Sequence, residues 1–133
     1  MNRVVIGVAL FLAGVAGVAL DRFALAQQSG LKRTILLRTD DPAATGQEAV
    51  MGVAEFAPGA NSGKHLHYGV EIGYVLDGSI VIEYPGKPAA TYKAGEAFKN
   101  EGPHTATNPG SKPAKVIAVY LVEKGKPLAD PVP

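Results

Sequence analysis

The sequence predicts an all-β domain, a sandwich or barrel built from many short strands. No stretch beyond residue 30 carries a sustained apolar period of 3.6 residues, which would indicate an amphipathic helix. Short apolar or alternating runs are instead separated by turn-forming residues, and the chain contains 16 glycines and 10 prolines. This pattern is typical of all-β folds. At 133 residues, the chain has room for one domain with one core.

Residues 1–26 have the features of a secretory signal peptide. Arg3 precedes the 17-residue stretch Val4–Leu20, which has no charged or polar side chain, and Ala24-Leu25-Ala26 forms a small-x-small cleavage step. The alternative is an uncleaved anchor, because 17 residues reach the lower limit for crossing a bilayer. Both readings predict an exported domain, periplasmic or secreted, that contacts a membrane only if the segment stays uncleaved.

The barrel domain is predicted to cover residues 27–123. Eight runs in it have the apolar or alternating pattern of strands. In chain order they are Thr34–Arg38, Glu48–Phe56, Ile72–Leu76, Ser79–Tyr84, Thr91–Lys93, Ala97–Lys99, Thr105–Thr107 and Lys115–Glu123. Asp77-Gly78, between the third and fourth runs, is a dipeptide that favours a tight hairpin. Residues 124–133 are predicted to form an extended, proline-rich tail.

Charge and cysteine content exclude several function classes. Without residues 1–26, the chain has 11 basic and 11 acidic residues, which gives no reason to expect a nucleic-acid partner. The chain contains no cysteine, so thiol catalysis and thiolate metal sites are excluded. No phosphate-binding loop or other cofactor motif is present, so the only cofactor expected is a metal ion.

The chain has only three histidines, His65, His67 and His104. Residues two apart on a β-strand point to the same face, so His65 and His67 can direct their imidazoles at one point. Neutral imidazole nitrogens, joined by a carboxylate, are donors that suit a divalent transition metal. The histidine pattern therefore predicts a metal site.

The spacing of Gly59, His65, His67, Glu71 and Gly78 resembles the first signature motif of the cupins without a gap. The resemblance extends over residues 50–122, which is most of the predicted domain.

The second cupin motif is matched less closely. Gly95 opens it, and His104 and Asn108 close it. Eight residues separate Gly95 from His104 where the family pattern has ten, and Gly102-Pro103 replaces a Pro-x-Gly turn. Of the histidines, His104 is therefore the one whose position the resemblance defines least.

The resemblance implies an antiparallel jelly-roll barrel, or double-stranded β-helix, that pairs as a homodimer. It also implies that His65, His67, Glu71 and His104 are the metal ligands. Glu71 lies an even number of residues from both motif histidines, so an unbroken strand keeps all three on one face. Glu71 has a second interpretation, as a catalytic general base toward bound substrate. Tyr68 and Phe98 are predicted to line the pocket.

The family's chemistry implies a metal-dependent enzyme, a dioxygenase-type oxidoreductase that acts on a small organic substrate. Fe, Mn, Zn, Ni and Cu all fit the ligand set, and export of an unfolded chain favours copper or zinc by the affinity order. Two alternatives remain open. One is a non-catalytic protein that binds a metal or a small molecule. The other is a metal-free isomerase, which would need His65 or His104 paired with an acid or a tyrosine.

Overall fold

The computed structural model describes residues 30–133, which form ten strands and no helix. The strands are β1 (Leu31–Asp40), β2 (Gln47–Phe56), β3 (His65–Leu66), β4 (Gly69–Asp77), β5 (Ser79–Glu83), β6 (Ala90–Lys93), β7 (Ala97–Glu101), β8 (Thr105–Thr107), β9 (Ala114–Glu123) and β10 (Asp130–Pro131). The signal peptide or anchor predicted at residues 1–26 lies outside the described residues and stays a prediction. Within residues 30–133, no helix has the length and apolar character needed to span a bilayer.

The strands form three sheets, and every pairing between them is antiparallel. The largest sheet has the order β1-β2-β9-β4-β7, and the two smaller ones are β6-β5-β8 and β10-β3. The predicted all-β, antiparallel fold class is therefore confirmed.

The core lies on the inner face of the five-stranded sheet. Strand β2 alternates strictly between half-buried and buried residues, and β9 buries every second residue from Ala114 to Val122. This period of two places one apolar face against the smaller strands. The main cluster contains Phe56, Ile80, Ile82 and Val116 together with several alanines. A second cluster, formed around Val50 and Tyr120, packs against Leu128 of the tail.

The hairpin predicted at Asp77-Gly78 is wrong. Strand β4 ends at Asp77 and β5 begins at Ser79, but β4 pairs with β7 and β9, whereas β5 pairs with β6 and β8. Gly78 instead makes a corner at which the chain passes from one sheet to another. Its φ is 74°, and a Cβ there would lie 3.0 Å from the Cα of Ala114. The dipeptide therefore forms a tight turn, as its sequence predicts, but the two strands that it joins do not pair with each other.

The C-terminal tail is extended and lies against the barrel next to the first histidine. In β10, Asp130 pairs with Leu66 and Pro131 with His65. The amide of Val132 donates a hydrogen bond of 3.1 Å to the carbonyl of Lys64. The end of the chain therefore forms a short sheet with the strand that starts the predicted metal motif.

Candidate metal centre

A two-residue bridge between distant segments brings His65 and His104 together. Each amide donates to the other's carbonyl, at 3.0 Å from His65 to His104 and 2.9 Å in the opposite direction. Directly opposed residues of an antiparallel pair project their side chains to the same face. The two imidazole centroids accordingly lie 4.5 Å apart, and both residues are buried.

His67 and Glu71 do not share one unbroken strand with His65. Strand β3 ends at Leu66, and β4 starts at Gly69, so His67 lies in the break between them. The imidazole of His67 is still only 5.0 Å from that of His65 and 5.3 Å from that of His104, measured between ring centroids. The conformation around Gly69, whose φ is 155°, redirects the chain so that Glu71 also points inward.

Glu71 lies between two polar side chains on the neighbouring strands. In register it is opposite Asn100 of β7 on one side and Tyr120 of β9 on the other. The Nδ2 of Asn100 donates to the Glu71 Oε2 at 2.7 Å. The same oxygen is 3.2 Å from the Nε2 of His67 and 3.4 Å from the Nε2 of His104. The structure thus brings the four predicted ligand residues to one place.

Backbone carbonyls fix the tautomer of all three histidines. The Nδ1 of His65 is 2.9 Å from the carbonyl of Gly63, and that of His104 is 3.0 Å from the carbonyl of Gly102. The Nδ1 of His67 contacts the carbonyl of Leu128 in the tail. A carbonyl oxygen only accepts, so each Nδ1 carries the proton and donates it. In the neutral imidazole, Nε2 then presents a free lone pair, as metal-ligating histidines do.

The three imidazoles fit a metal ion. One ligand nitrogen from each histidine lies within 4.8 Å of the others, so the three could hold an ion. Two donors at about 2.1 Å from one ion are at most about 4.2 Å apart. The histidine nitrogens that are farthest apart must therefore approach each other by roughly half an ångström to bind one ion. Among the described residues, the buried Nε2 of His67 has no hydrogen-bond partner. Its lone pair faces a carboxylate oxygen, an arrangement that a cation between them stabilises.

The electrostatics keep these groups in the protonation states that a metal needs. Burial, with smaller effects of His104 and His67 and against the hydrogen bond to Gly63, lowers the pKa of His65 to about 4. Burial acts to raise the pKa of Glu71, but the adjacent imidazoles of His104 and His67 and the hydrogen bond from Asn100 outweigh it and lower that pKa. At neutral pH, His65 is therefore neutral and Glu71 is ionised.

The site opens into a small cavity inside the barrel. Its volume is about 20 Å³, taken as the space that the centre of a water molecule can reach, which is enough for about one water. Polar and apolar side chains both line it. They are Arg33, Ala54, Phe56, His65, Glu71, Ile80, Ile82, Phe98, Asn100, His104, Ala106, Val116 and Tyr120. Phe98 lines the cavity as predicted, whereas Tyr68 does not, because its hydroxyl turns to Asp130 of the tail at 2.5 Å.

Sequence reasoning missed four contributors to this site. Asn100 and Tyr120 face the interior beside Glu71, Arg33 lines the cavity, and Leu128 orients His67. Polar residues at buried positions of an alternating strand are a usable signal, and Asn100 and Tyr120 carry it. The contribution of Leu128 is through its carbonyl, so no side-chain pattern could reveal it.

Asn108, which closes the second motif, has a structural role outside the metal centre. It is buried, and its Nδ2 donates to the carbonyls of Phe56, Ala57 and Lys112 at 2.8–3.2 Å. These bonds tie the end of β2 to the loop before β9, which satisfies buried backbone groups.

A family model and several solved structures match this chain. The model described as "Cupin domain" matches residues 52–120. A cupin superfamily protein from Desulfitobacterium hafniense has a TM-score of 0.57 and 15% identity, covering 70% of this chain and 78% of its own. The polyketide cyclase RemF from Streptomyces resistomycificus has a TM-score of 0.60 and 21% identity, covering 77% and 71%.

An oxalate oxidase in complex with glycolate also shares the fold. It has a TM-score of 0.60 and 23% identity over 82% of this chain, which spans 64% of the oxidase chain. No curated protein matches the sequence. These structures agree with the chain in fold, and the family model agrees with it in sequence across the strands that carry the site. The chain belongs to the cupin domain family.

Proposed function

We propose that this chain is a metal-dependent cupin enzyme that acts on a small organic molecule, with His65, His67, Glu71 and His104 as the metal ligands. The observation that carries the proposal is the cluster of three imidazoles, each in the tautomer that leaves its Nε2 lone pair free, beside a carboxylate oxygen of Glu71 that lies 3.2 Å from the Nε2 of His67 and 3.4 Å from that of His104. Such a donor set suits Fe, Mn, Zn, Ni or Cu.

A bound ion of this kind supplies Lewis acidity, and iron, manganese or copper adds redox chemistry. The residues around it have separate tasks. Asn100 holds the Glu71 Oε2 by its 2.7 Å hydrogen bond and so fixes the direction of the carboxylate. Burial raises the pKa of Tyr120, and the nearby Glu71 carboxylate raises it further, so its hydroxyl stays protonated and can donate to a ligand. Apolar side chains such as Ile80 and Ile82 exclude water from the rest of the cavity.

A dioxygenase-type reaction is the chemistry we favour. Polar groups beyond the four proposed ligands, namely Asn100, Tyr120 and Arg33, line the cavity, as expected for a site that binds and transforms a substrate. A saturated ion in a purely apolar cavity would favour a storage or structural role instead. Because the cavity has room for about one water, a substrate of several heavy atoms enters it only if the barrel opens.

One observation favours the metal-free alternative. The Nε2 of His104 is 3.4 Å from the Glu71 Oε2, a separation at which a protonated histidine and a carboxylate could act as an acid–base pair. An acid–base pair of His104 and Glu71 does not explain why the Nε2 of His67 is buried with a free lone pair. Metal analysis of the purified protein separates the two proposals, because only the first requires a stoichiometric ion.

The Glu71→Gln variant tests the role of the carboxylate. We expect it to weaken metal retention by at least about tenfold, because a neutral amide replaces a charged ligand. Metal content and oxygen uptake are measured together. Glu55→Gln is the matched control, since Glu55 has an exposed carboxylate on the same sheet. Full metal content with lost turnover would assign Glu71 as a general base instead.

We also propose that two copies pair through the outer face of the five-stranded sheet. Across four strands, Ile72, Val119, Met51 and Leu37 stand in register on this face. Ile72 is 49% exposed and Leu37 is 56% exposed. A twofold interface joins the same patch of both subunits, so an apolar face complements itself without paired charges.

Sedimentation velocity at micromolar concentration tests this pairing. We expect the wild-type protein to sediment at twice the mass of one chain. Ile72→Lys should shift it to the monomer without loss of metal, because the substitution is on the face opposite the metal centre. A wild-type monomer at these concentrations would contradict the pairing.

A further inference from the structure

Arg33 places a guanidinium in the cavity of the proposed metal site. It lies on β1 in register with Ala54, a buried residue of the inner face, so its side chain points into the barrel. Arg33 lines the same cavity as His65, Glu71 and His104. Its positive charge acts on two groups there, contributing to the lowered pKa of His65 and opposing the rise in the pKa of Tyr120.

This guanidinium has no carboxylate partner within residues 30–133. Arg38, the other arginine of that range, is paired with the buried Glu48, and the neighbouring Lys32 is 3.9 Å from Glu55. Arg33 is in none of the ion pairs formed by the described residues. The half-buried guanidinium lies close enough to Tyr120 to lower its pKa through a hydrogen bond, and its planar donor set still matches a carboxylate in two-point geometry.

The charges that surround the cavity favour an anion. The charged and titratable groups that line it are Arg33, His65, His104, Glu71 and Tyr120. Of these, only Glu71 is negative, and the proposed divalent ion together with Arg33 outweighs it. A ligand with one or two negative charges therefore compensates the site, whereas a neutral ligand leaves the guanidinium partly desolvated and unpaired.

We infer that Arg33 binds the carboxylate of a small carboxylic-acid ligand, whose remaining polar group faces His65, Glu71 and His104. The contact of the ligand's remaining polar group with the metal site rests on the proposed function. The excess of positive charge depends on the proposed ion, whereas the Arg33 contact depends on the cavity and on a guanidinium that has no ion-pair partner among the described residues. The cavity as it stands has room for about one water, so such a ligand must be small and enters only as the barrel opens around it, with the carboxylate as its main recognition element.

Binding of glycolate and of its neutral amide, glycolamide, to the full chain tests the inference by calorimetry. The protein is used both metal-loaded and after chelator treatment, with metal content measured in each sample. We expect the wild type to prefer glycolate, and Arg33→Gln to weaken glycolate binding by about 10- to 100-fold, the usual value of a charge-assisted hydrogen bond. Glycolamide affinity should be unchanged.

Two further variants keep the test decisive. Lys32→Gln removes an adjacent, exposed positive charge on β1 and should bind glycolate like the wild type. Arg33→Lys keeps the charge and loses the planar fork, so it should show an intermediate loss and serves if Arg33→Gln does not fold. Equal glycolate affinity in wild type and both Arg33 variants would overturn the inference, as would equal affinity of the wild type for glycolate and glycolamide. Absence of metal from the wild type would overturn the proposed function, while the Arg33 effect would still be measured in the chelated protein.

Discussion

His67→Ala is expected to abolish stable metal binding. The variant removes the one buried ring nitrogen that has no partner among the described residues, and that nitrogen is 3.2 Å from the Glu71 Oε2. Loss of groups that only support a metal ligand already costs about 10- to 100-fold in affinity, so loss of a ligand should cost at least about 100-fold. Metal content after dialysis, measured by inductively coupled plasma mass spectrometry, reports the effect. His65→Ala should behave in the same way.

The fold should survive the loss of His67. Neither apolar cluster of the core includes this residue, so the melting temperature of the metal-free protein should fall by no more than about 8 °C. Tyr68→Phe is the matched control. It removes the adjacent hydrogen bond to Asp130 of the tail and leaves the proposed ligands in place, so it should retain metal. Wild-type metal content in both histidine variants would count against the ligand assignment.

Gly69→Ala is expected to cause the largest loss of stability among single substitutions near the site. A Cβ at Gly69 would lie 1.9 Å from the carbonyl oxygen of Leu121 and 2.9 Å from the Cα of Val122. Both are backbone atoms of β9, the strand that pairs with β4 at this point. Because neither strand can yield without breaking their ladder, the free energy of unfolding should fall by more than about 4 kcal/mol.

Gly59→Ala is the control for this substitution. Gly59 also has a positive φ, of 72°, but a Cβ there meets nothing within 4 Å. Its substitution should therefore cost only the backbone strain, about 1–2 kcal/mol. Urea unfolding of the metal-free proteins measures both changes. Equal losses in the two variants would show that the close approach of β9 to Gly69 is not the constraint.

Strand spacing predicted that His65 and His67 converge, and the resemblance to the cupins added Glu71 and His104 to the ligand set. His65 and His67, two residues apart, do converge, and the distant His104 joins them through a backbone bridge. The backbone that connects His65 to Glu71 nevertheless differs from the predicted one. The break at His67 and the bend at Gly69 replace the unbroken strand, and local spacing cannot reveal such a change of direction.

Contacts between distant segments account for what could not be predicted. Whether Asp77-Gly78 joins paired strands depends on which sheet receives β5, and this is set by long-range packing. The tail contributes the backbone carbonyl of Leu128 to the site, and a residue of any type could supply such a carbonyl. Arg33 is important because it forms no ion pair with the described residues, and a sequence does not show which charges remain unpaired.

X-ray absorption spectroscopy of the metal-loaded wild-type protein tests the central claim most directly, because it counts the imidazoles on the ion. We predict one bound ion with three imidazole nitrogens and a carboxylate oxygen at about 2.0–2.2 Å. Loss of one imidazole from the spectrum in the His104→Ala variant would support the assignment further. An ion bound by one imidazole or none would contradict it.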